Sequence, residues 1–233
     1  MRFFVPILHI LTDVSHLRGA LMIQIDDAGS GSLVGGTCIG ILRVETGEYM
    51  FGIVPVELYK PRCFKKKEYL EKVVHIVRDA FSIMNPGKKE KILVCRGYMF
   101  DSLRKWLTEN SYDWESSVIQ DPLQTLVENT FEDYAISLGL PDQYIRYTKY
   151  PFHFHRLLKW VYADYENRKD LCKQGWSSWQ KYGNLETKVF YEKAASSRYC
   201  CLICGKDIKR GSLVRVVQYI TTTLNKAYTH AEC

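Results

Sequence analysis

Two groups of residues in this 233-residue chain have the types and spacing that chemistry needs. The first lies at the carboxyl-terminal end: Cys201-Leu-Ile-Cys204-Gly205-Lys206 and His230-Ala-Glu-Cys233, with 25 residues between Cys204 and His230. Thiolates and an imidazole are the donors that tetrahedral Zn²⁺ takes, and each CxxC or HxxC pair closes a tight turn. Cys201, Cys204, His230 and Cys233 therefore read as a structural zinc site with no open position for catalysis. Cys200 is a spare thiol, either a neighbour of the site or an alternative ligand. The second group is Asp26-Asp27-Ala28-Gly29-Ser30-Gly31, where an apolar run ends in two carboxylates and a mobile, glycine-rich edge. Paired carboxylates suit hard cations such as Mg²⁺ or Mn²⁺, which take oxygen ligands.

Those acids need a strand beneath them, and Leu21–Ile25 supplies it. Two further extended runs follow, Thr37–Val44 and Tyr49–Leu58, separated by the turn-like Glu45-Thr46-Gly47-Glu48, so the start of the chain reads as an antiparallel meander. Leu70, Val73, Val74, Val77, Phe81 and Met84 then fall at helical spacing, and Asn85-Pro86-Gly87 stops the helix. KILVCRG, residues 91–97, is a short apolar run of the buried parallel type. A short helix over Phe100–Asn110, capped by Asp101, and a brief strand over Ser116–Gln120 come next. The last helix of this series opens on Asp121 as N-cap, Pro122 at the first position and Gln124 in a capping-box arrangement. It buries Leu123, Val127, Phe131, Tyr134 and Leu138, and its spacing sets Glu128 and Glu132 beside that stripe.

Three antiparallel strands followed by βα units is a succession similar to the ribonuclease H-like superfamily, and Asp26-Asp27-Ala28-Gly29-Ser30-Gly31-Ser32 resembles the first-strand motif of ribonuclease HII. The resemblance implies a metal-dependent nuclease or resolvase, with Mg²⁺ or Mn²⁺ held by Asp26 and Asp27 and by Glu128 or Glu132 of the last helix. One strand departs from the pattern: KILVCRG offers Cys95 and Arg96 where that superfamily carries a carboxylate. An alternative is therefore a degenerate scaffold that binds nucleic acid, or serves as an adaptor, without cutting. A third reading starts from Asp27-Ala28-Gly29-Ser30-Gly31, which resembles the phosphate loop of the actin-like ATPase group, although no second such strand recurs. The terminal knuckle, with its glycine after the second cysteine and a hairpin over SLVRVVQYI and NKAYT, resembles treble-clef zinc fingers. Those typically set the second ligand pair at a helix start.

Charge points to a polyanionic partner. Residues 1–142 carry 16 Lys/Arg against 19 Asp/Glu, whereas residues 143–233 carry 16 against 7, within a net charge of +6. Between Gln143 and Tyr199, 14 aromatics are interleaved with 11 Lys/Arg. Such a mixture suits nucleic acid, rings stacking on bases while cations meet phosphates, or it packs a helical subdomain. Arg156, Lys159 and Arg168 line one face of a helix carrying Phe154, Leu157, Leu158, Val161 and Tyr165, and Lys206, Lys209, Arg210, Arg215 and Lys226 decorate the knuckle, which suits nucleic acid or a protein partner. His153 and His155 alternate in a short extended piece and read as surface or core residues.

At 46% hydrophobic residues the chain can bury a full core. The apolar start, MRFFVPILHI, is too short to span a bilayer and reads as part of the fold, with no membrane segment elsewhere. Scattered cysteines suit a reducing, cytoplasmic setting. The expected architecture is α/β: a ribonuclease H-like mixed sheet flanked by helices over 15–142, a basic, aromatic-rich helical extension over 143–198 and a small zinc finger over 199–233.

Overall fold

Alternating apolar positions make β1 (Met22–Ala28) a strand with Ile23 and Ile25 fully buried, in a computed structural model that describes residues 21–146, 150–197 and 199–233. The expectations for residues 1–20 lie outside the described residues. β2 (Thr37–Arg43) and β3 (Glu48–Val54) complete the antiparallel meander, with Gly47 taking φ 68° in the turn between them. Arg43 locks that end of the sheet: it pairs with Glu48 and the buried Glu90, each at 2.8 Å, and donates to the Met84 carbonyl at 2.9 Å.

The basic run after the meander forms two helices, α1 (Pro61–Lys65) and α2 (Glu68–Met84), because Lys67 adopts a left-handed conformation at φ 57°. Asn85 ends α2 in the same conformation, its N–H bonded to the Phe81 carbonyl. β4 (Lys91–Cys95) joins β1 in parallel, and after α3 (Asp101–Glu109) β5 (Trp114–Ser117) joins β4 in parallel. The strand expected at 116–120 thus starts two residues earlier, because its register is set by pairing of Trp114 with Ile92 through Ser117 with Cys95. Asp101 is not a cap: it sits in the first turn of α3 and binds Arg104 at 2.8 Å. The sheet order is β3-β2-β1-β4-β5, a five-stranded mixed sheet. Gly52, on the face shared with Asp27, lies under Ile76 of α2, and Gly40, on the face shared with Asp26, lies under Leu123 and Val127 of α4 (Leu123–Ser137). Helices therefore flank both faces. The capping box at the start of α4 does not form: Asp121 accepts from the backbone and hydroxyl of Thr125, while Gln124 reaches Glu128.

The described chain divides into two compact units, the first ending at Phe131 and the second holding Gly31–Gly35, Tyr59–Pro61 and Glu132–Cys233. The second unit takes α5 (Asp142–Arg146), α6 (Phe154–Ala163), α7 (Tyr165–Arg168) and α8 (Ser177–Tyr182) together with the terminal strands. β6 (Thr187–Lys193), inside the stretch expected to be helical, pairs antiparallel with β9 (Leu213–Ile220), which pairs in turn with β10 (Leu224–His230). This pairing joins the extension and the knuckle into one unit, so the expected boundary at 198/199 does not fall between units. β7 (Tyr199–Cys200) and β8 (Asp207–Ile208) form a separate ribbon. Trp160, Tyr162 and Tyr219 are buried in this unit's core, with Tyr162 and Tyr219 stacked at 4.2 Å. Leu33 and Val34 are buried there too, so the glycine-rich segment is a packed strap and not a mobile edge. Among the described residues no helix is long and apolar enough to cross a membrane.

Candidate metal centre and acidic sheet edge

The cysteine–histidine cluster is assembled by one ribbon and one hairpin. Between β7 and β8 the chain reverses over Cys201–Cys204, with Gly205 at φ 75° where a side chain would be strained, and the turn is closed by Cys201 N–H to the Lys206 carbonyl at 2.9 Å. β10 delivers His230 as its last residue, and a turn brings Cys233 back towards it. The Leu202 N–H donates to the Tyr228 carbonyl and the His230 N–H lies 3.3 Å from the Cys201 sulfur, which ties ribbon to hairpin.

The ligand atoms of Cys201, Cys204, His230 and Cys233 all lie within 4.8 Å of one another, close enough to hold a metal ion. His230 Nδ1 is 3.3 Å from the Cys204 sulfur and 3.8 Å from that of Cys233. Its Nε2, 3.3 Å from the Asp207 carbonyl, is the natural proton carrier, which leaves the Nδ1 lone pair facing the thiols. Burial pushes the Cys201 thiol up, but the backbone N–H groups of Cys204, His230 and Ile203 outweigh it and bring the thiol down to about 7. Burial and the neighbouring sulfurs push Cys233 up to about 12, a crowding of thiols that a cation relieves. Cys200 stands outside the cluster: it donates to the Gly205 carbonyl at 3.0 Å, and burial pushes it up to about 11, so it is a protonated brace of the turn.

The acidic edge lies at the carboxyl-terminal end of β1. The register pairs Asp26 with Gly40 of β2 and Asp27 with Ile39, while Ile25 pairs with Val94 of β4, which brings Cys95 beside Asp26. Ligand atoms of Asp26, Asp27 and Cys95 lie within 4.8 Å of one another. Asp26 is 8% exposed, and burial raises its carboxyl above the usual carboxylate range. Hydrogen bonds from the Cys95 thiol and the Asp27 N–H offset part of that, and the charge of Glu128 adds to it. Burial and the bond to Asp26 push Cys95 itself up to about 11, so it remains a thiol donor at neutral pH. The chain turns away at Gly29, whose φ of 81° suits glycine and where a Cβ would overlap the Phe131 ring of α4.

Of the four acids read as catalytic, Asp26 and Asp27 are brought together, and Glu128 of α4 acts on Asp26 through its charge without joining the cluster. Glu132 sits one turn further along α4, in the part assigned to the second unit. Arg96 is exposed. The resemblance puts Cys95 or Arg96 at the fourth-strand position of the site; the parallel register of β4 against β1 selects Cys95.

The cations read as nucleic-acid contacts divide into two sets. Lys206, Lys209 and Arg210 are exposed on the knuckle. Arg215 is anchored to the Ala163 carbonyl at 3.0 Å, and Arg156 donates to the Tyr144 carbonyl at 2.7 Å with its guanidinium over the Tyr144 ring. Lys159 is half-buried on α6. Arg168, expected on a cationic face, is buried: it donates to the Trp160 and Leu202 carbonyls and stacks on Trp160, and burial lowers it to about 10. The two histidines differ from the extended pair expected, because His153 precedes α6 and His155 lies in its first turn. No protein-family model matches the chain, and no curated protein matches it significantly.

Proposed function

We propose that the protein processes nucleic acid through a divalent cation at Asp26 and Asp27, and that the cysteine–histidine cluster holds Zn²⁺ as a structural staple. Three thiols and an imidazole within reach of one centre are the donor set that Zn²⁺ favours, with no place left for a reacting water. The observation that carries the nucleic-acid reading is the carboxylate pair at the end of the central strand. Two acids side by side, one of them buried and repelled by Glu128, are costly without a counter-charge. Asp26 and Asp27 would hold Mg²⁺ or Mn²⁺, with Glu128 adding negative field; such a cation supplies charge neutralisation at a phosphodiester. The order β3-β2-β1-β4-β5, with β1 antiparallel to β2 and parallel to β4, supports a ribonuclease H-like scaffold for this site. The basic composition of residues 143–233 supplies attraction for the polyanion.

A second reading, binding without cutting, is favoured by Cys95. Its thiol occupies the strand position next to Asp26 and donates to it, and a protonated thiol is a poor ligand for a hard cation. A cleavage panel distinguishes the two. Zinc-loaded protein is incubated with RNA–DNA hybrid, four-way junction, and single- and double-stranded DNA, with Mg²⁺ or Mn²⁺ or neither, beside Asp26→Asn. Cleavage that needs the cation and vanishes in the variant establishes a phosphodiesterase. Binding without cleavage under every condition establishes the second reading.

A further inference from the structure

The second unit contains a cleft of about 1000 Å³ that neither the acidic edge nor the cysteine–histidine cluster uses, although Arg156 and Lys159, read above as nucleic-acid contacts, line it. It opens between α6 and the metal-site ribbon and hairpin, and Arg156, Lys159, Lys226, His153 and His155 line it against a single acid, Asp207. Two of the cations are fixed in place: Lys226 is held by both oxygens of Glu192, at 3.0 and 3.2 Å, and Arg156 is held by the Tyr144 carbonyl. Lys159 has no ion-pair partner among the described residues, so its ammonium is available to a ligand. Tyr199 and Tyr228 stand on the other side, their rings stacked on each other at 4.2 Å and 10° from parallel, which leaves the outer face of each ring for a planar ligand. Burial lowers His155 below the usual imidazole range, and the charges of His153 and Lys159 add to it.

We propose that this cleft binds a nucleoside phosphate, its anionic group on Lys159 and its base against the Tyr199–Tyr228 stack. A cationic wall facing an aromatic platform matches the two halves of such a ligand, phosphate with ammonium and base with ring. The identification of a base-bearing ligand rests on the nucleic-acid reading above; the attraction for an anion rests on the cleft alone. The ligand is either a free nucleotide or the phosphorylated end of a strand, and these two sources share the chemistry that the cleft recognises.

The test is calorimetric titration of full-length, zinc-loaded protein with adenosine 5′-monophosphate, adenosine, and 5′-phosphorylated and 5′-hydroxyl oligothymidylate. Wild type, Lys159→Met, Lys159→Glu and, as a control at an exposed lysine of the first unit, Lys89→Glu are compared, and the folding of each is checked by its melting curve. Adenosine 5′-monophosphate should bind at least about tenfold tighter than adenosine, lose about tenfold in Lys159→Met and remain within about twofold in Lys89→Glu. The His155 ring resonances should move with it. A matching preference for the 5′-phosphorylated strand assigns the cleft to strand ends, and its absence assigns it to free nucleotides. If Lys159→Met is folded and binds the phosphates as wild type does, the cleft is overturned while the nucleic-acid reading stands. If the mononucleotide binds through Lys159 and neither oligonucleotide binds at all, the cleft stands and the nucleic-acid reading falls. Absence of binding by every phosphorylated probe overturns both.

Discussion

Single side chains set what the acidic edge can do. Asp26 carries the cost of a buried charge next to another carboxylate, so Asp26→Asn should raise the melting temperature of magnesium-free, zinc-loaded protein while removing divalent-cation binding. Scanning calorimetry checks the first half; an unchanged or lower melting temperature counts against a strained acid. Cys95→Asp supplies the carboxylate that β4 lacks, and should tighten Mg²⁺ binding while destabilising the metal-free protein, since it places a like charge beside Asp26. Gly29→Ala meets both a left-handed φ and the Phe131 ring, and should cost about 2 kcal/mol or more in a denaturant titration. His155 gives the pH dependence. Its folded value lies below the unfolded 6.5, so the unfolded chain takes the proton first; stability is fully present above 6.5 and falls as pH drops through the lowered folded value. His155→Asn should flatten the melting temperature across that interval relative to wild type. These residues were only partly readable beforehand. Asp26 and Asp27 stand out by type and by the glycines after them, whereas the role of Cys95 depends on which strand lies beside β1, a long-range fact that local pattern does not carry.

At the scale of elements, periodicity located the meander, α2 and its stop at Asn85, β4 and the terminal hairpin. It failed where partners far along the chain decide. β6 reads as part of a helical extension because Thr187–Lys193 is mostly exposed on both faces and carries no clean alternation; what makes it a strand is β9, more than twenty residues later. The same distance hides the burial of Arg168, whose two carbonyl acceptors come from α6 and from the Cys201–Cys204 turn. Arg168→Ala should leave both carbonyls unmet and cost about 3 kcal/mol, and it should also weaken metal retention by the knuckle, measured as faster zinc release to a chelator. The ribbon and the hairpin share only a small apolar cluster, Ala194, Cys201, Ile208, Val214 and Val216, in which Cys201 is itself a candidate ligand, so chelation should strongly reduce the near-ultraviolet signal of the Tyr199–Tyr228 pair while leaving most of the first unit's helicity intact. Cys204→Ala should reproduce that loss in the presence of zinc.

For the molecule as a whole, chemistry is divided between the units. The first carries the carboxylates at the end of a five-stranded mixed sheet; the second carries the cysteine–histidine cluster, the cationic cleft and the excess of basic residues. Phosphate contacts made by such a surface weaken steeply with salt, so nucleic-acid affinity should fall by an order of magnitude or more between about 50 and 200 mM salt, and a flat response points instead to a protein partner for the knuckle. Everything in the catalytic reading depends on whether Asp26 and Asp27 hold a cation. Mn²⁺ titration of zinc-loaded protein, followed by electron paramagnetic resonance, measures this directly. The account predicts saturable binding in wild type, loss in Asp26→Asn, and retention when the exposed Lys206 is replaced. Absence of saturable binding in wild type, or equal binding in Asp26→Asn, contradicts it and leaves the acids as a structural end to β1.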